Sequence, residues 1–145
     1  MTPEQIALVQ ASFEKVKPVA PQAAEIFYAR LFELAPQVRG LFRGDMAEQG
    51  RKLMAMLAGV VGGLSRLDVL VPTAQQLARR HVAYGALPEH YPVVGQALLE
   101  TLAKGLGEEF TPQVRQAWET AYGTLSQVMI AAQQEQPPLA MSARV

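Results

Sequence analysis

Apolar residues recur at three- and four-residue spacing along most of the chain, and breaks that carry proline separate the periodic runs. Thr2-Pro3-Glu4-Gln5 offers an N-cap, a proline in the first turn and a glutamine three residues after the cap. Ile6, Val9, Phe13 and Val16 follow on one helical face. Pro18 and Pro21 interrupt, and Ala24, Phe27, Tyr28, Leu31 and Leu34 form a second face. Pro36 ends it, because proline disfavours helical geometry in the residue before it. A short turn from Pro36 to Phe42 leads to Asp45-Met46-Ala47-Glu48, which reads as a cap with an acid in the first turn.

The helix opened by Asp45 is predicted to run to about Leu64. Its later part is apolar on all sides, so neighbouring elements are expected to surround it. Gly59, Gly62 and Gly63 cost helix propensity, roughly 1 kcal/mol each against alanine. Close approach of another helix backbone would offset that, or Gly62-Gly63 marks fraying. Pro72 is predicted to open a helix that carries His81 and stops near Gly85. Pro88 to Pro92 reads as a loop or first turn, followed by Val93, Val94, Ala97, Leu98 and Leu102. Thr111-Pro112 starts the last long helix, with Val114, Trp118, Ala121, Leu125, Val128 and Ala132 on one face. The tail from Gln136 to Val145 is expected to fray. With no convincing β alternation the fold class is all-α, with about seven helices. The pattern alone leaves open an antiparallel bundle or an obliquely packed arrangement.

Composition narrows the function classes. A chain of 145 residues, half of them hydrophobic, is one domain with a sizeable core. The formal net charge is +0, which gives no electrostatic case for nucleic acid. The longest apolar stretch, Leu53 to Leu64, is too short for a bilayer span of about 20 residues. No basic segment precedes the first apolar residues, so no signal peptide is expected. The absence of cysteine excludes disulfides, thiolate catalysis and iron–sulfur ligation, and is compatible with a cytoplasmic setting.

Phosphate loops, dinucleotide fingerprints, nucleophile elbows and His-Glu-x-x-His are all missing. The chain has two histidines, His81 and His90. His81, late in its helix, suits a structural role, favourable with the helix dipole and bonded to a carbonyl. On residue chemistry alone that structural role is the stronger reading; the other is the single axial ligand of a haem iron, the far side left open for a diatomic gas. The Leu77 carbonyl, four residues back, would then fix its tautomer. Tyr28 reads either as a core tyrosine with its hydroxyl at the rim or as a polar group in a pocket. Gln49 is either solvated or on a functional face shared with Leu53.

Taken together, several segments are in consistent order. They are Phe27-Tyr28-Ala29-Arg30-Leu31-Phe32, Leu41-Phe42, Gln49-Gly50-Arg51-Lys52-Leu53, Arg80-His81, His90-Tyr91-Pro92-Val93-Val94-Gly95 and Trp118-Glu119-Thr120-Ala121-Tyr122-Gly123. From about Thr2 to Ala132 the chain resembles bacterial single-domain globins, which are similar to the haem domain of flavohaemoglobins. The resemblance implies a globin fold of about seven or eight helices packed obliquely around haem b (iron protoporphyrin IX), with residues 1–135 as the haem domain. It implies His81 as the proximal iron ligand. It also implies Tyr28 and Gln49 as the distal pair that addresses dioxygen. Phe42, Leu53 and Val94 match haem- or gas-contacting positions, Tyr91 a proximal tyrosine, and Arg80 a basic residue near a propionate. His90 matches no ligand position and reads as a surface loop residue.

A buried tyrosine hydroxyl and a glutamine amide both donate hydrogen bonds, and such donors favour a dioxygen carrying partial negative charge. Bonds to charged groups contribute roughly 1.5–3 kcal/mol, enough to slow dioxygen release ten- to a hundredfold. Carbon monoxide carries less charge and gains less. Two departures stand out. Counted without gaps from Trp118, the family's buried proximal glutamate falls at Gln133, which cannot make the histidine as electron-donating. Glu135 lies roughly 200° further around the helix and does not replace it. A peroxidase-like activity resting on that electron push is therefore not expected. No counterpart of the flavohaemoglobin reductase is present, so turnover would need an external reductase.

The resemblance thus implies a tight dioxygen binder that converts nitric oxide and dioxygen to nitrate with that reductase. The same pocket would equally serve storage, delivery or scavenging of dioxygen, or gas sensing. A cofactor-free helical module is the remaining class, and an absorption spectrum separates it.

Overall fold

The computed structural model describes residues 1–42, 44–83, 85 and 88–135. The tail expected to fray, 136–145, lies outside the described residues. Six α-helices follow one another: α1 (Pro3–Val16), α2 (Ala20–Leu34), α3 (Met46–Gly62), α4 (Leu67–Ala83), α5 (His90–Leu106) and α6 (Pro112–Glu135). Three short 3-10 segments, Lys17–Val19, Pro36–Leu41 and Gly107–Glu109, turn the chain between them. The described residues hold six α-helices against the seven or so expected, and the short turn expected at Pro36 to Phe42 is the 3-10 segment Pro36–Leu41.

The helix starts follow local chemistry. Thr2 and Gln5 form a reciprocal capping box, each side chain bonded to the other's backbone N–H at 3.1 and 3.0 Å. Asp45 accepts from the Ala47 N–H at 3.0 Å and caps α3. Thr111 accepts from the Val114 N–H at 3.2 Å at the head of α6.

Three expectations are corrected. Helix α4 does not begin at Pro72 but runs through it from Leu67. Proline inside a helix costs about 3 kcal/mol. Burial of Leu70 and Ala74 on either side offsets that, while Pro72 itself faces solvent. Helix α3 stops at Gly62, and its later part is not enclosed. Gly59 and Gly62 are exposed, with open space where a Cβ would stand. The tight approach occurs instead at Gly50, where an added Cβ would meet the Ala24 Cβ at 2.9 Å. Finally, His90 is not a surface loop residue: it is the half-buried first residue of α5.

The largest interfaces join α2 to α5, α4 to α6 and α1 to α6, none of them neighbours in sequence. That pairing rules out a simple up-and-down bundle. Trp118 ties α6 to α1 through a 2.8 Å hydrogen bond from its indole N–H to Ser12 Oγ, with both side chains buried.

Among the described residues the buried core falls into two clusters. The larger runs through α1, α2, α3, α5 and the first half of α6, and takes in Leu70 from the start of α4. The smaller consists of Ala74, Ala78, Tyr91, Met129 and Ala132, with Leu77, Leu125, Val128 and Ile130 packed on it. No helix among the described residues is long and apolar enough to cross a membrane.

Candidate functional site

Ala24 and Tyr28 lie one helical turn apart on the same face of α2. Because Gly50 has no side chain, α3 closes onto Ala24 there. Tyr28 on one helix and Gln49 on the other are thereby brought within hydrogen-bond reach. Tyr28 is 7% exposed. Burial raises the pKa of its hydroxyl above the ordinary value of 10.0, and the Gln49 hydrogen bond offsets part of that rise.

Three rings pack around Tyr28. Phe27 and Phe42 stand edge-on to it at 5.0 and 5.2 Å between centroids, and Phe32 stacks at 6.0 Å. Phe42 reaches this position because the Pro36–Leu41 segment turns the chain back, closing with Phe42 N–H to Arg39 O at 3.1 Å. Leu53, one turn after Gln49, lines an apolar void of about 20 Å³ with Phe27, Leu57, Leu98, Leu102 and Trp118. Phe42, Leu53 and Val94 are all half-buried and pack on the larger core cluster.

The other group of predicted residues sits with the smaller cluster. His81 Nδ1 lies 2.8 Å from the Leu77 carbonyl oxygen. A carbonyl only accepts, so in this contact Nδ1 carries the proton. Ala78 and Ala74, three and seven residues before His81, occupy the same face of α4 and are buried against α6. Tyr91 is buried, and its hydroxyl has no hydrogen-bond partner among the described residues. Burial raises its pKa. Gln133 is buried on α6, and Arg80 is exposed.

Sequence reasoning missed two contributors here. The Tyr122 hydroxyl on α6 donates to the Tyr91 carbonyl at 2.5 Å. Gly95 leaves room for the Tyr122 ring, which a Cβ would meet at 2.6 Å. Both residues stood in the segments that carry the resemblance, but nothing local indicated that they meet.

The donor chemistry restricts what could bind. Among the described residues no group of three or more His, Cys, Asp or Glu could hold a bare metal ion. A single imidazole suffices only for a metal that brings most of its own ligands, as iron in a porphyrin does. The His81 imidazole, its Nδ1 held by the Leu77 carbonyl, and the Tyr91 hydroxyl, buried without a partner among the described residues, fit such a group.

A sequence profile of the globin family matches residues 25–129. The chain belongs to the globin family. It is 33% identical over 133 residues to the flavohemoprotein of Deinococcus radiodurans, covering 90% of this chain and 33% of that protein. This globin therefore spans about a third of the length of the curated relatives it matches. Among solved structures it is similar to a bacterial globin from Campylobacter jejuni, with TM-score 0.80, 25% identity, and coverage of 92% of this chain and 97% of the other. An engineered carbene transferase from Rhodothermus marinus shares the fold, with TM-score 0.83, 24% identity and coverage of 93% and 94%. The all-α fold read from the sequence is thus the globin fold.

Proposed function

We propose that this globin binds haem b through His81, holds dioxygen tightly, and consumes nitric oxide by dioxygenation with electrons from a reductase outside residues 1–145. The observation that carries the reading is the buried Tyr28 hydroxyl, ringed by Phe27, Phe32 and Phe42 and neighboured by the half-buried Gln49 side chain. Haem, when bound, supplies the iron that takes a diatomic ligand. His81 presents Nε2 as the proximal donor, its ring orientation held by Leu77. Phe42, Leu53 and Val94 supply apolar contact, and exposed Arg80 is available to a propionate at the rim. Tyr28 and Gln49 donate to the partial negative charge on dioxygen and thereby slow its escape. Nitric oxide is the second gas, and carbon monoxide, which carries less charge, gains less from the pair.

A second reading, dioxygen storage or delivery without turnover, draws support from Gln133. It is buried and uncharged on the proximal side, where a carboxylate would increase the electron donation of His81. One experiment separates the readings. The purified chain is loaded with haem, its Soret band recorded, and nitric oxide consumption followed with a cellular reductase and NADH. Sustained consumption supports the dioxygenase, and a single stoichiometric turnover supports storage. A missing Soret band contradicts both.

A further inference from the structure

We propose that the surface carried by the 3-10 segment Pro36–Leu41, α3 and α4 is the docking face for a separate electron-donor protein whose own contact face is acidic. This inference rests on the haem reading above and names the class of reductase that reading calls for.

Charge is unevenly placed along a chain of zero net charge. Residues 39–81 hold seven basic and three acidic side chains, a formal +4, and the rest of the chain holds six basic and ten acidic, a formal −4. Pairing sharpens the contrast. Outside that stretch, Lys15 meets Glu109, Lys17 meets Glu14, Arg30 meets Glu100 and Arg115 meets Glu119. Within it, Lys52 alone is paired, loosely, with Glu48 at 3.9 Å, while Arg39, Arg51, Arg66, Arg79 and Arg80 are exposed and have no ion-pair partner among the described residues.

The fold brings three of these cations to the edge of the proposed site. A Cβ on Gly85 would meet the Leu41 side chain at 3.2 Å, so the turn after α4 abuts the end of the 3-10 segment. Leu41 precedes Phe42 of the Tyr28 pocket, and Gly85 lies one helical turn's length after His81. Arg39 therefore stands beside one group of site residues, and Arg79 and Arg80 beside the other. The Arg39 guanidinium is held 5.1 Å over the Phe32 ring, which meets Phe42 at 5.4 Å, so its charge has a fixed place. The end of α4 carries a partial charge of about −0.5, which offsets only a small part of the two arginines in its last turns.

A donor that delivers one electron per turnover has to find one part of the surface quickly and then leave it. Complementary charge does this, since it raises encounter rates by about 10–10³ without holding the complex. Asp45, Glu48 and Asp68 break up the basic residues, which favours a patterned protein face over the uniform charge of a polyphosphate. The donor's reduced cofactor is oxidised by one electron and the ferric haem is reduced by one; no bond forms or breaks.

The test uses the haem-loaded ferric protein and photoreduced plant-type [2Fe–2S] ferredoxin, an acidic one-electron donor. Stopped-flow haem reduction is expected to slow at least about tenfold between roughly 20 and 300 mM salt. At low salt, Arg39→Glu and Arg79→Glu should each slow it about fivefold or more. Lys104→Glu makes the same change in net charge at an exposed cation outside the face, and should slow it less than about twofold. Photoreduced lumiflavin, a small uncharged donor, should reduce all four proteins alike. In the ferrous carbon monoxide complex, amide shifts on adding oxidised ferredoxin should gather in residues 36–41, α3 and α4. A salt-independent rate, a Lys104→Glu effect as large as the others, or lumiflavin reduction slowed in the same variants overturns the proposal. Tighter binding to phosphatidylserine vesicles than to ferredoxin at the same salt makes the face a membrane contact and does the same. If Arg39→Glu fails to fold, Arg79→Glu and Arg51→Glu carry the test. A missing Soret band in the wild-type protein overturns the haem reading itself, and this inference with it.

Discussion

On the Tyr28 side of the molecule, α2, α3 and α5 close upon one another. Aromatic rings meet at 5.0 to 6.0 Å, Gly50 lets two helices touch, and the buried Tyr28 hydroxyl has the Gln49 side chain as its polar neighbour. On the His81 side, α4 rests on α6 over small residues, Ala74, Ala78 and Ala132, and Tyr91 carries a buried hydroxyl with no partner among the described residues. The first side packs against most of the apolar core, and the second has a cluster of its own. A buried donor left unbonded costs about 1–3 kcal/mol. On the proposed reading, a group held by His81 would complete the second side by giving the buried Tyr91 hydroxyl a neighbour.

That contrast can be broken in three ways, the largest effect first. His81→Ala removes the sole proximal donor proposed for the site. Haem retention, followed by transfer of haem to an acceptor protein, should weaken by more than about a hundredfold, beyond the usual effect of a supporting residue. Retention near wild type would place the ligand elsewhere.

The second compares the two clusters in the cofactor-free chain. Leu31, 1% exposed, is central to the larger cluster, and Leu31→Ala should cost about 2–5 kcal/mol in urea unfolding. Met129, 3% exposed, belongs to the smaller cluster. Met129→Ala should cost about 1 kcal/mol less than Leu31→Ala without haem, with the gap narrowing once haem is loaded. Equal losses in both states would mean that the two sides are equally complete.

The third concerns pH. Burial raises the pKa of Tyr28, Tyr91 and Tyr122 above the unfolded value of 10.0. Their protonated forms are favoured in the fold, so the stability they contribute is fully present below pH 10 and is lost as pH rises beyond it. Alkaline titration of urea midpoints should be flat up to about pH 9.5 and fall above it. Tyr28→Phe should remove only part of that fall. A decline beginning well below pH 9 would show other groups in control.

What was legible in the sequence was local. The caps at Thr2, Asp45 and Thr111 follow from side chains two or three residues from their partners. The His81–Leu77 bond is a single helical turn, and the expected partner is the one found. Pro72 misled because propensity is local while burial of Leu70 and Ala74 is tertiary. The glycines misled for the same reason. Gly59, Gly62 and Gly63 drew attention by clustering, whereas Gly50 and Gly95 are the ones closely met by another helix. The Tyr122 bond to Tyr91 spans 31 residues, and no spacing rule reaches that far. Assigning Tyr28, Gln49 and His81 to one proposed site depended on the ordered resemblance of many segments, since each residue alone had an ordinary structural explanation.

The central claim is that Tyr28, held by Gln49, donates to bound dioxygen opposite His81. Stopped-flow measurement of dioxygen dissociation from the ferrous haem-loaded protein tests it most directly, comparing wild type with Tyr28→Phe. The ring and its packing are kept, and one donor is removed. The account predicts a release rate ten- to a hundredfold faster, on the order of one hydrogen bond to a charged acceptor, with carbon monoxide release changing far less. An unchanged dioxygen rate would contradict it.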